Sequence, residues 1–162
     1  DGQLNYEMLT QFKYLEMVIN ETLRKYPPVN VVTRKCTRNY LIPGTKLIIP
    51  KGTQVTIPIY SIQRDAEYFP EPEKFDPERF NDENIGNIKP FTYLPFGEGP
   101  RICIGMRFAM MQLKIAVIKL VSNFEFSACE RTLNPMKYSV TNLMLSPKDD
   151  QMWLRVKKVT QD

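Results

Sequence analysis

Three of the chain's seven glycines, Gly97, Gly99 and Gly105, fall within nine residues in the run Phe96-Gly97-Glu98-Gly99-Pro100-Arg101-Ile102-Cys103-Ile104-Gly105. Glycine there permits positive φ and lets the backbone approach a flat or bulky object closely. Cys103 stands just ahead of an apolar helical pattern, where the dipole and free amide N–H groups favour a thiolate over a thiol. A thiolate is a metal ligand. The chain has no histidine, and its other cysteines, Cys36 and Cys129, stand 67 and 26 residues from Cys103, so no second soft ligand is near. A single thiolate suits an iron whose other positions are filled by a porphyrin, and Arg101 is placed to pair with a porphyrin carboxylate. Two blander readings share the spacing: a glycine loop that binds phosphate, and a lone cysteine packed as a small core residue. The phosphate version fails on detail, because Ile102 stands where GxGxxG needs glycine and no GK[ST] follows.

Such a loop needs rigid elements on both sides. The spacing predicts a helix over about Phe12–Lys25, with Leu15, Val18, Ile19, Leu23 and Tyr26 on one apolar face, ended by Pro27-Pro28. A second helix is predicted from about Met106 to Asn123, apolar nearly all round and therefore buried on most sides. Of the 13 prolines, eleven lie between Pro27 and Pro100, which makes the middle a proline-stiffened excursion of turns. Within it, Val29–Lys35, Tyr40–Ile42, Lys46–Ile49 and Gln54–Ile57 read as a small antiparallel meander. Pro43-Gly44 suits a type II turn, and Pro50-Lys51-Gly52 a type I turn. One brief helix is predicted near Ser61–Phe69. After the second helix, Phe124–Phe126, Lys137–Val140 and Met152–Val159 are strand-like, with a hairpin turn at Pro147–Asp150. The fold class is α+β, mainly α with small sheets.

Composition excludes several functions. The absence of histidine rules out His-based triads, His-ligated zinc and His-ligated haem. The odd cysteine count without paired spacing points to a reducing, intracellular setting. No window of about twenty apolar residues occurs to span a membrane, and the first residues do not show a basic n-region followed by an apolar h-region. A net charge of +4, read as mild and evenly spread, argues for a solvated surface and against nucleic acid. The polar opening at Asp1 reads like the inside of something longer, so a fragment is expected.

The pattern FxxGxRxCxG, filled by Phe96, Gly99, Arg101, Cys103 and Gly105, resembles the haem-binding signature of the cytochrome P-450 monooxygenases. Glu21-Thr22-Leu23-Arg24 resembles the family's ExxR element, and Pro77-Glu78-Arg79-Phe80 its PERF element, in the right order. The resemblance covers the whole chain (1–162), which is similar to the C-terminal, haem-proximal third of such an enzyme: a partial single domain with two long helices flanking the meander and the haem-binding loop. The stretches Glu73–Phe80 and Pro90–Gly97 are most similar to microsomal animal members, particularly insect xenobiotic-metabolising ones.

By this resemblance Cys103 is the axial thiolate of haem b, donating electron density through iron, and backbone N–H groups after it tune that donation. Phe96 packs near the sulfur and excludes water, while Gly99 and Gly105 complete the cradle. Arg101 and Arg34 hold the propionates; for Arg34 the alternative is a solvent-facing strand arginine. Glu21 and Arg24, which a helical wheel places opposite the apolar stripe as an exposed pair, meet Arg79 in a buried charge network. Val29, Val31 and Val32 and the loop near Asn142–Leu145 face substrate, though core strands explain their apolar character equally. The sequence departs from the pattern at Gln63, where relatives usually carry histidine, at Ala66, which replaces a frequent proline, and at Ile102. Gln63 leaves the packing of the brief helix open.

The resemblance implies a full-length enzyme that inserts one oxygen atom from O₂ into an apolar small molecule, with electrons from NADPH through a flavoprotein reductase. The resemblance also implies cytochrome b5 as a second donor. Lys89, Arg101, Arg107 and Lys114 would favour an acidic partner near Cys103. The address is the endoplasmic reticulum membrane, reached only through an N-terminal anchor outside this chain, and the chain alone is expected to be inactive. A haem-thiolate isomerase or lyase, and a non-catalytic truncated product, remain the alternatives.

Overall fold

The computed structural model describes residues 6–139, 142 and 144–159. The described residues open with two consecutive helices, α1 (Tyr6–Gln11) and α2 (Lys13–Lys25), hinged at Phe12 (φ −79°, ψ 63°). The first lies in the segment read as merely polar, and its Leu9 is buried. At the end of α2, Tyr26 leaves helical geometry (φ −132°) while its N–H still reaches Thr22 O at 2.7 Å. Pro27 and Pro28 cannot donate to a helical ladder, so the chain turns out at that point.

The strands that follow are nested and do not form a meander. β1 (Val32–Lys35) pairs antiparallel with β4 (Gln54–Ile57), while β2 (Tyr40–Leu41) pairs with β3 (Ile48–Ile49) inside it. The outer ladder runs on through Cys36 N–H to Thr53 O (2.8 Å) and Gly52 N–H to Cys36 O (2.7 Å), leaving the inner hairpin as a projection from its end. The turn after Pro50 differs from the type I expectation. Thr53 N–H donates to Pro50 O, which puts Gly52 at the third position with φ +90°, the geometry of type II.

The brief helix is α3 (Ile59–Ile62), earlier and shorter than its predicted span, followed by single turns through Phe69. Pro77–Phe80 forms a 3₁₀ turn whose first free amide, Glu78 N–H, is capped by the Asp76 carboxylate at 3.2 Å. The second long helix, α4, spans Met106–Asn123 as the spacing predicts. It runs into β5 (Phe124–Ser127), which pairs with β6 (Arg155–Lys158) from Phe124 opposite Lys158 to Ser127 opposite Arg155. The strand expected at Lys137–Val140 is reduced to one bridge between Tyr138 and Pro147, and Val140 lies outside the described residues. Lys148–Asp150 is a 3₁₀ turn and no hairpin turn, because β6 takes β5 as its partner.

Helices and two-stranded sheets together make a mixed α+β arrangement in which irregular chain exceeds either. The core is small and centred on α2: Ile19 and Leu23 with Leu9, Ile59, Phe69, Phe80 and Leu94. Phe80 packs on Tyr93 with ring centroids 4.9 Å apart. The expectation that α4 is buried on most sides is not met within this chain, where Phe108 and Val121 are 63% and 60% exposed and its one buried side chain is Lys114.

Candidate functional site

The cysteine loop is shaped by its own backbone. Gly97 N–H donates to Leu94 O (3.0 Å), Ile102 N–H to Gly99 O (3.0 Å), and Cys103 N–H to Phe96 O (2.9 Å), closing the loop across eight residues. Gly97 (φ +74°) and Gly99 (φ +77°) occupy the left-handed region, where a side chain would strain the backbone. The Glu98 carboxylate accepts from Gly99 N–H and caps the 3₁₀ turn Gly99–Arg101. Met106 N–H then donates to Cys103 O (3.2 Å) and α4 begins, with Gly105 at its N-cap and no side chain satisfying the first amides. Those amides and the positive end of the helix dipole begin three residues after Cys103 in the chain.

Cys103 is exposed, as are Arg101, Ile102 and Ile104, so water is not excluded from the thiol by residues of this chain; Phe96 is half-buried. A Cβ at Gly105 would stand 3.9 Å from Cys103 Sγ, an ordinary contact. Among the described residues no group of three or more Cys, Asp or Glu could hold a metal ion by itself. The donor set is therefore one sulfur on a preformed loop with accessible apolar neighbours, which fits a metal carried in a flat macrocycle and does not fit a bare ion.

The loop rests on a network built from α2, α3 and the proline-rich segment. Glu21 and Arg24, one helical turn apart on α2, are both fully buried, contrary to the exposed pair drawn by the helical wheel. Arg24 Nε and Nη2 grip the Glu21 carboxylate at 2.7 and 2.8 Å, a bidentate pair. Its Nη1 and Nη2 also donate to the carbonyls of Gln63 and Pro72, each at 2.8 Å. Glu21 Oε1 accepts from Asp76 N–H at 2.9 Å and lies 3.7 Å from Arg79 Nε, while Arg79 Nη2 donates to Glu71 O. Lys25 donates to Glu73 O. Partners thus come from 39 to 58 residues downstream, which no local period can register.

Gln63 links this network to the cysteine loop. Its side chain is fully buried; Nε2 donates to Leu23 O (3.1 Å) and Arg24 O (2.9 Å), and Oε1 accepts from Leu94 N–H (2.7 Å). Those two carbonyls belong to the last turn of α2, where helical acceptors lack internal donors, and Leu94 begins the turn that Gly97 closes. Sequence reasoning left Gln63 open; its burial had no signal beyond its place near the brief helix. Tyr93 beside it donates to Asn20 O at 3.2 Å, and burial, reinforced by the Glu21 charge, pushes its phenol far above the usual range.

The arginines divide. Arg101 sits on the cysteine loop, whereas Arg34 is exposed on β1, opposite Val55, with Nη1 on Thr33 O, and no hydrogen bond or ion pair joins it to the loop among the described residues. Val29, Val31 and Val32 are half-buried. Val29 bridges to Met144, and Leu145 N–H donates to Pro28 O, so the two segments expected to face substrate do meet; Leu143 lies outside the described residues. Lys114 is corrected from a surface cation to a buried one: Nζ donates to Glu16 Oε2 (2.7 Å) and Leu9 O (3.1 Å), tying α4 to α1 and α2. Lys89 pairs with Glu67 at 3.3 Å, which leaves Arg101 and Arg107 as the exposed cations near Cys103.

Comparison with known proteins agrees with the geometry. The cytochrome P450 family profile matches residues 1–154. The chain is 48% identical over 161 residues to cytochrome P450 9e2 of Blattella germanica, covering 99% of this chain and 30% of that protein. It is 52% identical over 135 residues to cytochrome P450 6j1 of the same organism, covering 83% and 26%. Against cytochrome P450 3A16 of Mus musculus it is 50% identical over 142 residues, covering 88% and 28%. The chain spans less than a third of the length of these relatives.

Proposed function

The chain belongs to the cytochrome P450 family, and from that premise we propose that the protein containing it is a haem-thiolate monooxygenase whose iron is held by Cys103. The observation that carries this reading is the single exposed thiol at the head of α4, on a loop its own backbone has already shaped. When bound, haem supplies the oxygen-activating chemistry, by which one atom of O₂ enters an apolar small molecule. The residues of this chain hold and orient. Cys103 ligates, Gly99 and Gly105 keep the backbone close to the macrocycle, and Phe96 lines the sulfur side. Arg101, and Arg34 from β1, pair with the propionates. Glu21, Arg24 and Arg79 fix the proline-rich segment beneath the loop, and Gln63 fastens that segment to the loop's first turn.

On this reading residues 1–162 are the haem-proximal part of one domain, inactive alone because α4 and the thiol lack their cover. Val29, Val31 and Val32 contribute to the substrate side. Electrons come from NADPH through the P450 reductase, with cytochrome b5 as a second donor, and the exposed Arg101 and Arg107 favour an acidic partner there. The protein works at the endoplasmic reticulum membrane, although no helix among the described residues is long and apolar enough to cross one.

The test is Cys103→Ser in the full-length protein, reduced under carbon monoxide. Loss of the red-displaced Soret band together with substrate oxidation is the expected result; a variant that keeps both removes Cys103 from the iron.

A further inference from the structure

Between α1, α2, the cysteine loop and residues 106–114 of α4 lies a cavity of about 400 Å³, within the size range of small-molecule sites. Its walls belong to elements that pack on one another in this chain, and the buried Lys114 ties three of them together through Glu16 and Leu9 O. The open side of α4 is elsewhere: Phe108, Leu120 and Val121 do not line this space. Nor do Cys103, Val29, Val31 or Val32, so the cavity is separate from the seat of the iron and from the substrate side.

The lining is apolar with two free donors. Leu9, Met106, Met110 and Met111 carry the apolar surface, and flexible thioethers adapt to guests of irregular shape. The even spread of charge expected from composition is not met, since residues 22–64 hold eight Lys/Arg and no Asp/Glu while the rest of the chain holds fourteen and eighteen. Pairing therefore decides locally which cations are free. Around the cavity Glu16 and Lys114 neutralise each other at 2.7 Å, whereas Arg107 is exposed and no ion pair engages it among the described residues. Asn20 Oδ1 accepts from the Tyr93 hydroxyl at 3.1 Å, which leaves its amide nitrogen as a donor with no acceptor among the described residues. A neutral guest would leave both donors unanswered and a cationic one would meet the Arg107 charge, so the cavity selects an anion with an apolar body.

Two residues of the lining are bonded to Cys103 itself. Phe96 O accepts from Cys103 N–H at 2.9 Å, and Met106 N–H donates to Cys103 O at 3.2 Å. We propose that the cavity binds a small anionic amphiphile, its chain among the methionines and its carboxylate on Arg107 and Asn20, and that occupancy is transmitted to the sulfur through Phe96 and Met106. The binding goes beyond the haem reading; the transmission rests on it.

The test uses decanoate, decanol and decylammonium, which share a chain and differ in the head. Each is titrated by equilibrium dialysis into the haem-loaded full-length protein with an imidazole-type inhibitor on the iron, which closes the substrate side and gives its own displaced Soret band. Decanoate should bind at one further site, with the other two about tenfold weaker. Arg107→Gln should bring decanoate down to the level of decanol. Met110→Trp, which fills the cavity and whose inhibitor band shows that it folds, should weaken both. The Soret band should shift along the same decanoate curve. Decanoate that binds no better than decanol, or equally well to Met110→Trp, overturns the site. So does an absence of binding, since another segment, a second copy or a protein partner then fills the cavity. Binding with a stationary band overturns the transmission. A protein that gives no inhibitor band fails the haem reading instead, and dialysis of the parent against Met110→Trp still decides the cavity.

Discussion

α2 and α4, the two long helices, treat charge and apolar surface in opposite ways. α2 buries charge: Glu21, Arg24 and Lys25 are inaccessible or nearly so. α4 carries apolar residues around its whole circumference and leaves Phe108, Leu120 and Val121 in the open, burying Lys114 instead. The difference lies in where each helix finds its partners. For α2 they lie within this chain, in the carbonyls of Gln63, Pro72 and Glu73 and the amide of Asp76. α4 presents surface of a kind folded proteins cover, in a chain that spans less than a third of its relatives' length.

The contrast breaks most visibly at Arg24. Arg24→Ala strands the Glu21 carboxylate in a buried site, and about 3–5 kcal/mol of stability should be lost, read by denaturant unfolding of the full-length protein along with haem uptake. A variant that takes up haem normally would falsify the network's role under the loop. Gln63→Leu keeps the volume but orphans Leu94 N–H, at a cost of about 1–3 kcal/mol. Its companion sharpens the point. In Gln63→His a neutral imidazole can accept from Leu94 N–H and an imidazolium cannot, so haem retention should fall on acidification through about pH 6.5 while the parent stays flat there. A flat profile in the variant detaches Gln63 from the loop.

Val121→Ser sets the two helices against each other. Within this chain the site is exposed and the change should stay within about 0.5 kcal/mol. In the full-length protein, where a covered valine contributes about 1.5–3 kcal/mol, the same change should lower the melting temperature, and equal effects in both would mean that α4 is never covered. The smallest effect concerns pH. Hydrogen bonding from Arg64 holds the Glu73 carboxyl below its ordinary value, and Lys74 does the same for Asp76. Both carboxyls are depressed in the folded state, so their contribution is complete above the ordinary carboxylate range and drains away as pH falls through the lowered values. An acid titration of stability should therefore show a shallow loss below about pH 4.5, reduced in Glu73→Gln.

What could be read from the sequence follows the range of the forces involved. α4 was legible to its end residues because an apolar run bounded by glycine and a change of period is local information. β4 was legible for the same reason, whereas the nesting of β2 and β3 inside β1 and β4 was not, since pairing order is a property of the assembled sheet. Cys103, Phe96, Gly99, Arg101 and Gly105 announced themselves as a motif, and the structure places them on one loop. Glu21 and Arg24 looked like an exposed pair because the wheel counts neighbours three and four residues away, and theirs stand dozens of residues downstream. Lys114 misled in the same way, its acceptors lying about a hundred residues upstream.

The bond from Cys103 N–H to Phe96 O has a kinetic corollary. A ligand loop that must first condense from a mobile ensemble slows and weakens capture, because ordering accompanies every binding event. In residues 96–103 that bond ties the two ends of the segment together through the polypeptide's own groups, so part of the ordering that a ligand would otherwise demand is met by folding.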